Sequence, residues 1–149
     1  MSAPDGPGAS LPRPAEVLPH RPPFLFVDEV TAIDPGGSAS GRWRLTGEEF
    51  FFQGHFPGRP TLPGVLMVEA MAQLGAIALL ADERFAGSLP LFGGIDKARF
   101  RRQVVPGDTL DMRVELDQLS FNAGKGHGTA SLDGKVAATA SIFFVVVRT

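Results

Sequence analysis

Two side chains stand out because nothing around them is of their kind. From Val65 to Ala81 every residue is apolar or glycine except Glu69 and Gln73. Four residues apart, these two are neighbours on one face of a helix. A carboxylate set among so much apolar surface is expensive to ionise. Desolvation raises its pKa and keeps it protonated near neutral pH, the state of a proton donor. Upstream lies His55, within Gln53-Gly54-His55-Phe56-Pro57-Gly58. Imidazole titrates in the range that suits a general base, and the flanking glycines and prolines let the backbone hold it at an unusual angle. Between them, Thr61-Leu62-Pro63-Gly64-Val65 opens the apolar run. The first N–H groups of a helix lack internal acceptors and carry partial positive charge, and Gly64 admits close approach by an oxygen that is gaining negative charge. A base, an acid and an oxyanion donor are the three roles that a β-elimination beside a thioester carbonyl requires.

Taken singly, each feature also has a plainer reading. Glu69 is then the one satisfied polar group of a core, or faces a solvated edge. His55 is a surface residue of a loop, and Pro63-Gly64 is helix-start geometry. Three histidines and no cysteine leave no thiolate ligand or nucleophile and argue against a structural zinc site. The absence of cysteine also fits a reducing compartment, and the cytoplasm is the expected location. A net charge of -2 gives no global sign of nucleic-acid binding.

The elements that must position these groups follow from pattern. MSAPDGPGASLPRP carries no basic start and no apolar run, so residues 1–14 read as a disordered lead-in and not a secretory signal, with one domain over 15–149. Phe24-Leu25-Phe26-Val27 reads as a first strand and Asp34-Pro35-Gly36-Gly37 as a turn, followed by a strand over about 38–45 that carries Trp43. Glycine and proline at short intervals make 47–63 an ordered loop. The run from Val65 to Ala81 is a helix, with Pro63 at its start and Gly87 fitting its end. Apolar on every side, it must be buried. TLDMRVEL alternates with period two, Pro106-Gly107-Asp108 and Asp133-Gly134 are turns, and KVAATASIFFVVV is a β-branched strand. One buried helix among antiparallel strands is best covered by a sheet curled around it, an α+β arrangement known as the hot-dog fold. A bilayer span is a poor alternative: the apolar run is near the lower length limit and contains Glu69 and Gln73.

LPHRPPFLFVDEV, FFQGHFPGRPTLPGVLMVEAMAQLG and FGGIDKARFRRQVVPGD, in that order, resemble the signature stretches of the FabZ-type 3-hydroxyacyl-acyl carrier protein dehydratases. The resemblance runs from about Leu18 to Val147. It implies dehydration of (3R)-3-hydroxyacyl thioesters to trans-2-enoyl thioesters in fatty acid or related polyketide or polyene synthesis. It also implies His55 as catalytic histidine, Glu69 as catalytic glutamate, Gly64 as donor to the thioester carbonyl and Gln73 as the group orienting the acid. Phe56 and Val65 fall to substrate contact. FabA-type relatives are less similar, having aspartate where this chain has Glu69. The family pattern further implies a homodimer whose sites take His55 and Glu69 from different subunits, in some members as a trimer of dimers. The partner is acyl carrier protein, whose phosphopantetheine carries the substrate, and no metal or redox cofactor is expected.

Two departures are visible. Leu89-Pro90-Leu91-Phe92 lacks the tyrosine common there, which bears on any aromatic gate, and Gln103 replaces a usual proline. Neither falls on a residue assigned to the chemistry. Lys97, Arg99, Arg101 and Arg102, with Arg59, are either a solvated face or a basic rim that docks the acidic carrier. His20 is expected to brace the first strand, His127 to be solvated, and Phe50-Phe51-Phe52 to line an acyl tunnel or pack the core. A thioesterase on the same fold, and a non-catalytic acyl-binding subunit of a mixed dimer, are the alternative functions.

Overall fold

The computed structural model describes residues 11–148; most of the expected lead-in lies outside them. A one-turn helix α1 (Pro14–Val17) begins at a buried proline, where the missing N–H is no loss. Six strands follow around one long helix: β1 (Glu29–Asp34), β2 (Ser38–Arg44), α2 (Gly64–Leu80), β3 (Leu89–Phe100), β4 (Thr109–Asp117), β5 (Ala123–Leu132) and β6 (Lys135–Val147). They form one antiparallel sheet in the order β1-β2-β4-β5-β6-β3. The tight β5–β6 hairpin turns at Asp133 and Gly134, both with positive φ, as a two-residue primed turn demands.

Burial explains the pairing of helix and sheet. From Ala70 to Leu80 every residue of α2 is buried, so the helix needs cover on nearly all sides. β4 supplies Leu110, Met112 and Val114 from alternate positions, and β6 supplies Ala138, Ala140, Ile142, Phe144 and Val146. Leu74, Ile77 and Leu79 are fully buried, each contributing about 1.5–3 kcal/mol of apolar transfer. β5 turns small inward residues to the helix, and this is necessary. A methyl group on Gly128 would sit 2.8 Å from Met71 Sδ; on the helix side, one on Gly75 would come 3.0 Å from the Phe144 ring of β6.

Three sequence expectations change. Phe24–Val27 is not a strand; its backbone groups bond to the Gln73 side chain 47 and 49 residues away, and β1 starts only at Glu29. The helix ends at Leu80, not near Gly87. Asp82 accepts the Arg84 N–H and starts a separate 3₁₀ turn (Glu83–Phe85), after which Gly87 adopts φ +77°. The loop over 47–63 contains a 3₁₀ turn of its own, Phe50–Gln53. Phe52 is buried there, and Phe51 packs edge-on to Phe26 and Trp43, so two of the three phenylalanines are core residues.

Candidate active site

Glu69 sits on α2 at the wall of a cavity of about 260 Å³, lined also by His20, Phe24, Gln73, Leu91 and Phe144. Burial pushes its carboxyl pKa up; a hydrogen bond from Gln73 opposes the shift without cancelling it. Gln73 is itself almost wholly buried and all its polar atoms are used. Its Nε2 donates to Glu69 Oε2 (2.9 Å) and to the Phe24 carbonyl (3.1 Å), and its Oε1 accepts the Phe26 N–H (2.8 Å). The amide thereby fixes both the acid and the chain segment that roofs the cavity. Glu69 is thus a largely buried carboxyl whose pKa is raised by desolvation.

His55 occupies a second, more open cavity of about 380 Å³, together with Thr61, Gly64, Phe100, Arg101, Arg102 and Gln103. Its Nδ1 lies 2.7 Å from the Thr61 carbonyl, which can only accept, so Nδ1 carries the proton and Nε2 keeps its lone pair. Thr61 returns its own N–H to the His55 carbonyl (2.8 Å), closing the loop on itself. The imidazole stacks on Phe56 at 4.0 Å, and the intervening peptide is cis. Gly64 starts α2 in the same cavity, against the Phe100 ring; a methyl group there would come within 3.0 Å of it. Phe56 and Val65 stand beside these groups, exposed, and line neither cavity.

His55 and Glu69 line separate cavities of the one chain. At 3.6 residues per turn, Glu69 is about 140° around α2 from Gly64, so the two residues look out on nearly opposite sides of the helix. Gly64 and Met67 line the His55 cavity, while Glu69, Ala72, Gln73 and Ala76 line the other.

Of the expected basic rim, Arg101 and Arg102 line the His55 cavity. Arg59 is exposed in the turn that follows Phe56, and Lys97 lies in a bulge of β3 with φ +51°. Arg99 is exposed, and its Nη1 donates to the neighbouring Ala98 carbonyl. His127 is exposed beside Ser141 on the outer sheet face.

Two residues were undervalued in sequence. Gln103 belongs to the histidine's surroundings: its Nε2 donates to Thr61 Oγ1 (2.7 Å), one residue-length from the base. His20 brings Nε2 to 3.8 Å from Glu69 Oε2 inside the acid's cavity. No local pattern signals either contact, because both partners lie more than 40 residues away in the chain.

A single long helix enclosed by one six-stranded antiparallel sheet defines a hot-dog protein. Residues 18–141 match the model of the FabA-like domain, and the chain belongs to that family. It is 50% identical over 131 residues to the 3-hydroxyacyl-[acyl-carrier-protein] dehydratase FabZ of Clostridium botulinum (strain Kyoto / Type A2), covering 88% of this chain and 91% of that protein. The FabZ of Oenococcus oeni (strain ATCC BAA-331 / PSU-1) is 53% identical over 131 residues, covering 88% and 94%. Among solved structures, the dehydratase heterocomplex ApeI:P from Xenorhabdus doucetiae superposes with a TM-score of 0.80 at 21% identity, covering 94% of each chain. A thioesterase from Pseudomonas aeruginosa reaches 0.62 at 18% identity over 80% of each. At these identities the two structures speak for the fold alone.

Proposed function

We infer that this chain dehydrates (3R)-3-hydroxyacyl thioesters carried on acyl carrier protein to trans-2-enoyl thioesters, as in fatty acid biosynthesis. The observation that carries the reading is Glu69: a partly buried carboxyl, held by Gln73, in a family whose FabZ relatives are named for this reaction. His55 Nε2 takes the proton from C2 of the substrate. Charge moving onto the thioester oxygen is met by the Gly64 N–H at the positive end of α2. The C3–O bond breaks, Glu69 gives its proton to the departing oxygen, and water leaves. The enzyme then holds an imidazolium and a carboxylate, and one proton moved from the first to the second resets it. The step as written uses no metal and no redox cofactor.

The opposed faces of α2 support a site shared by two copies, with His55 and Gly64 of one chain facing Glu69 of the other. β3 is an edge strand with Leu89, Leu91 and Ile95 exposed, which suits pairing with its own copy. A homodimer, assembled further into a trimer of dimers, is the proposed form and the cytoplasm the proposed location. Among the described residues no helix is long and apolar enough to cross a membrane. Arg101 and Arg102 at the mouth of the His55 cavity support docking of an acidic carrier.

His55→Ala and Glu69→Gln variants, assayed for hydration of a short enoyl thioester, are each expected to lose about a hundredfold or more in rate. Near-normal rates in both would remove the reading. Free thiol released from an acyl thioester would point to a thioesterase instead.

A further inference from the structure

His20 is held, not merely placed. Arg21 Nη1 donates to the carbonyls of Leu18 (2.8 Å) and His20 (2.7 Å), clamping the turn, and Leu18 is anchored in the core. The imidazole is thereby delivered into the acid's cavity, with Nε2 3.8 Å from Glu69 Oε2 and both side chains mostly buried. Its other nitrogen, Nδ1, is buried without a hydrogen-bond partner. A proton on Nδ1 would be a buried donor with no acceptor, a more costly orphan than a lone pair. The proton therefore sits on Nε2, on the side of Glu69, and the doubly protonated ring is disfavoured. Burial lowers the pKa of His20, in agreement with a neutral resting state.

We propose that His20 is a positioning residue for the acid: a neutral imidazole whose Nε2–H closes on the Glu69 carboxylate as that group gives up its proton. At 3.8 Å the pair is longer than a hydrogen bond, which suits a protonated acid already engaged by Gln73. Once the proton has passed to the leaving oxygen, the carboxylate stands in an apolar cavity with one side-chain donor, Gln73, shared with the Phe24 carbonyl. A second donor within a small side-chain rotation stabilises the charge only after it has formed. Interactions of that kind raise kcat without tightening the ground state. His20 keeps its own proton throughout. A fixed cation here would do the reverse, favouring ionised Glu69 at rest and emptying the donor.

The inference rests on the dehydratase reading, and a double-mutant cycle separates the two. His20→Ala is expected to lower kcat about tenfold to a hundredfold, the worth of one hydrogen bond to a charged group, with KM little changed. His20→Gln, which keeps a neutral N–H near the position of Nε2, is expected to recover most of that loss, and His20→Lys to fall below His20→Ala. In the Glu69→Gln background, His20→Ala is expected to cost nothing further, because its partner has gone. Equal losses from His20→Ala in both backgrounds, or equal kcat for His20→Gln and His20→Lys, would overturn the inference and leave the dehydratase reading standing. Near-normal activity of both Glu69→Gln and His55→Ala would overturn the dehydratase reading itself. Thermal unfolding of His20→Gln, expected near the parent midpoint, separates these effects from loss of fold.

Discussion

Gln73 Nε2 reaches Glu69 Oε2 at 2.9 Å while the same side chain holds the Phe24 carbonyl and the Phe26 N–H. One amide therefore takes the place of a β-ladder for a four-residue segment and aims the acid. Gln73→Leu conserves bulk but leaves the Phe26 N–H and the Phe24 carbonyl without partners. A loss of about 1–3 kcal/mol in unfolding free energy is expected, read by urea denaturation. Activity should fall further than stability alone explains, since the carboxyl loses its orientation. An unfolding midpoint unchanged from the parent would show that water replaces the amide freely.

The shifted carboxyl sets a pH dependence of stability with a definite sign. Burial raises the Glu69 pKa above its ordinary 4.5, against the smaller opposing bond from Gln73. Over the interval between the unfolded and folded values, the folded chain therefore keeps a proton that the unfolded chain has released. The stability this group contributes is complete below the unfolded value and lost as pH rises through the folded one. His20 runs the other way: burial lowers its pKa from 6.5, so its contribution is present above that value and lost as pH falls through the folded one. Calorimetric Tm values from about pH 4 to about pH 8 are expected to show Glu69→Gln drawing ahead of the parent as pH rises. A constant gap across that range would mean that Glu69 titrates normally in the folded chain.

Gly41 tests the close approach of helix and sheet. A Cβ on this β2 residue would lie 2.6 Å from the Glu29 carbonyl oxygen, which is backbone and cannot swing aside, and 3.0 Å from the Leu74 methyl. Gly41→Ala is expected to destabilise by about 1–3 kcal/mol, the range for forced overpacking. Gly54→Ala has nothing within 4 Å of the added methyl and serves as the matched control. Equal midpoints for the two variants in chemical denaturation would refute the packing argument.

What could be read from sequence was what depends on local pattern. β6 runs from Lys135 to Val147, the whole β-branched stretch, and α2 covers Gly64–Leu80, close to the apolar run 65–81 though short of the end expected near Gly87. The turn at Asp133-Gly134 needed only its own two residues. What escaped depends on partners far along the chain. Phe24–Val27 has the composition of a strand and fails to be one because Gln73 takes its hydrogen bonds. Gln103 was set aside as a harmless departure, yet it reaches Thr61 across 42 residues. His20 is expected to brace the first strand, and its approach to Glu69 had no local signal because Glu69 is on another element. His55, Gly64 and Glu69 could be singled out from residue type and spacing, but not that α2 turns Gly64 and Glu69 to opposite sides.

That opposition gives the sharpest test of a shared site. If His55 and Glu69 act across two chains, His55→Ala and Glu69→Gln homodimers each lack one member at every site. A heterodimer of the two concentrates both lesions in one site and leaves the other intact. Random mixing of equal amounts puts half the population into heterodimers, so about a quarter of parental activity should return in a symmetric two-site dimer. Coexpression with two affinity tags allows the heterodimer to be isolated, where the expected value rises to about half. The thioester assay that reads the single variants reads the mixture as well. An isolated heterodimer no more active than its parents would mean that base and acid serve the same chain, and the geometry of α2 would then have to change before catalysis.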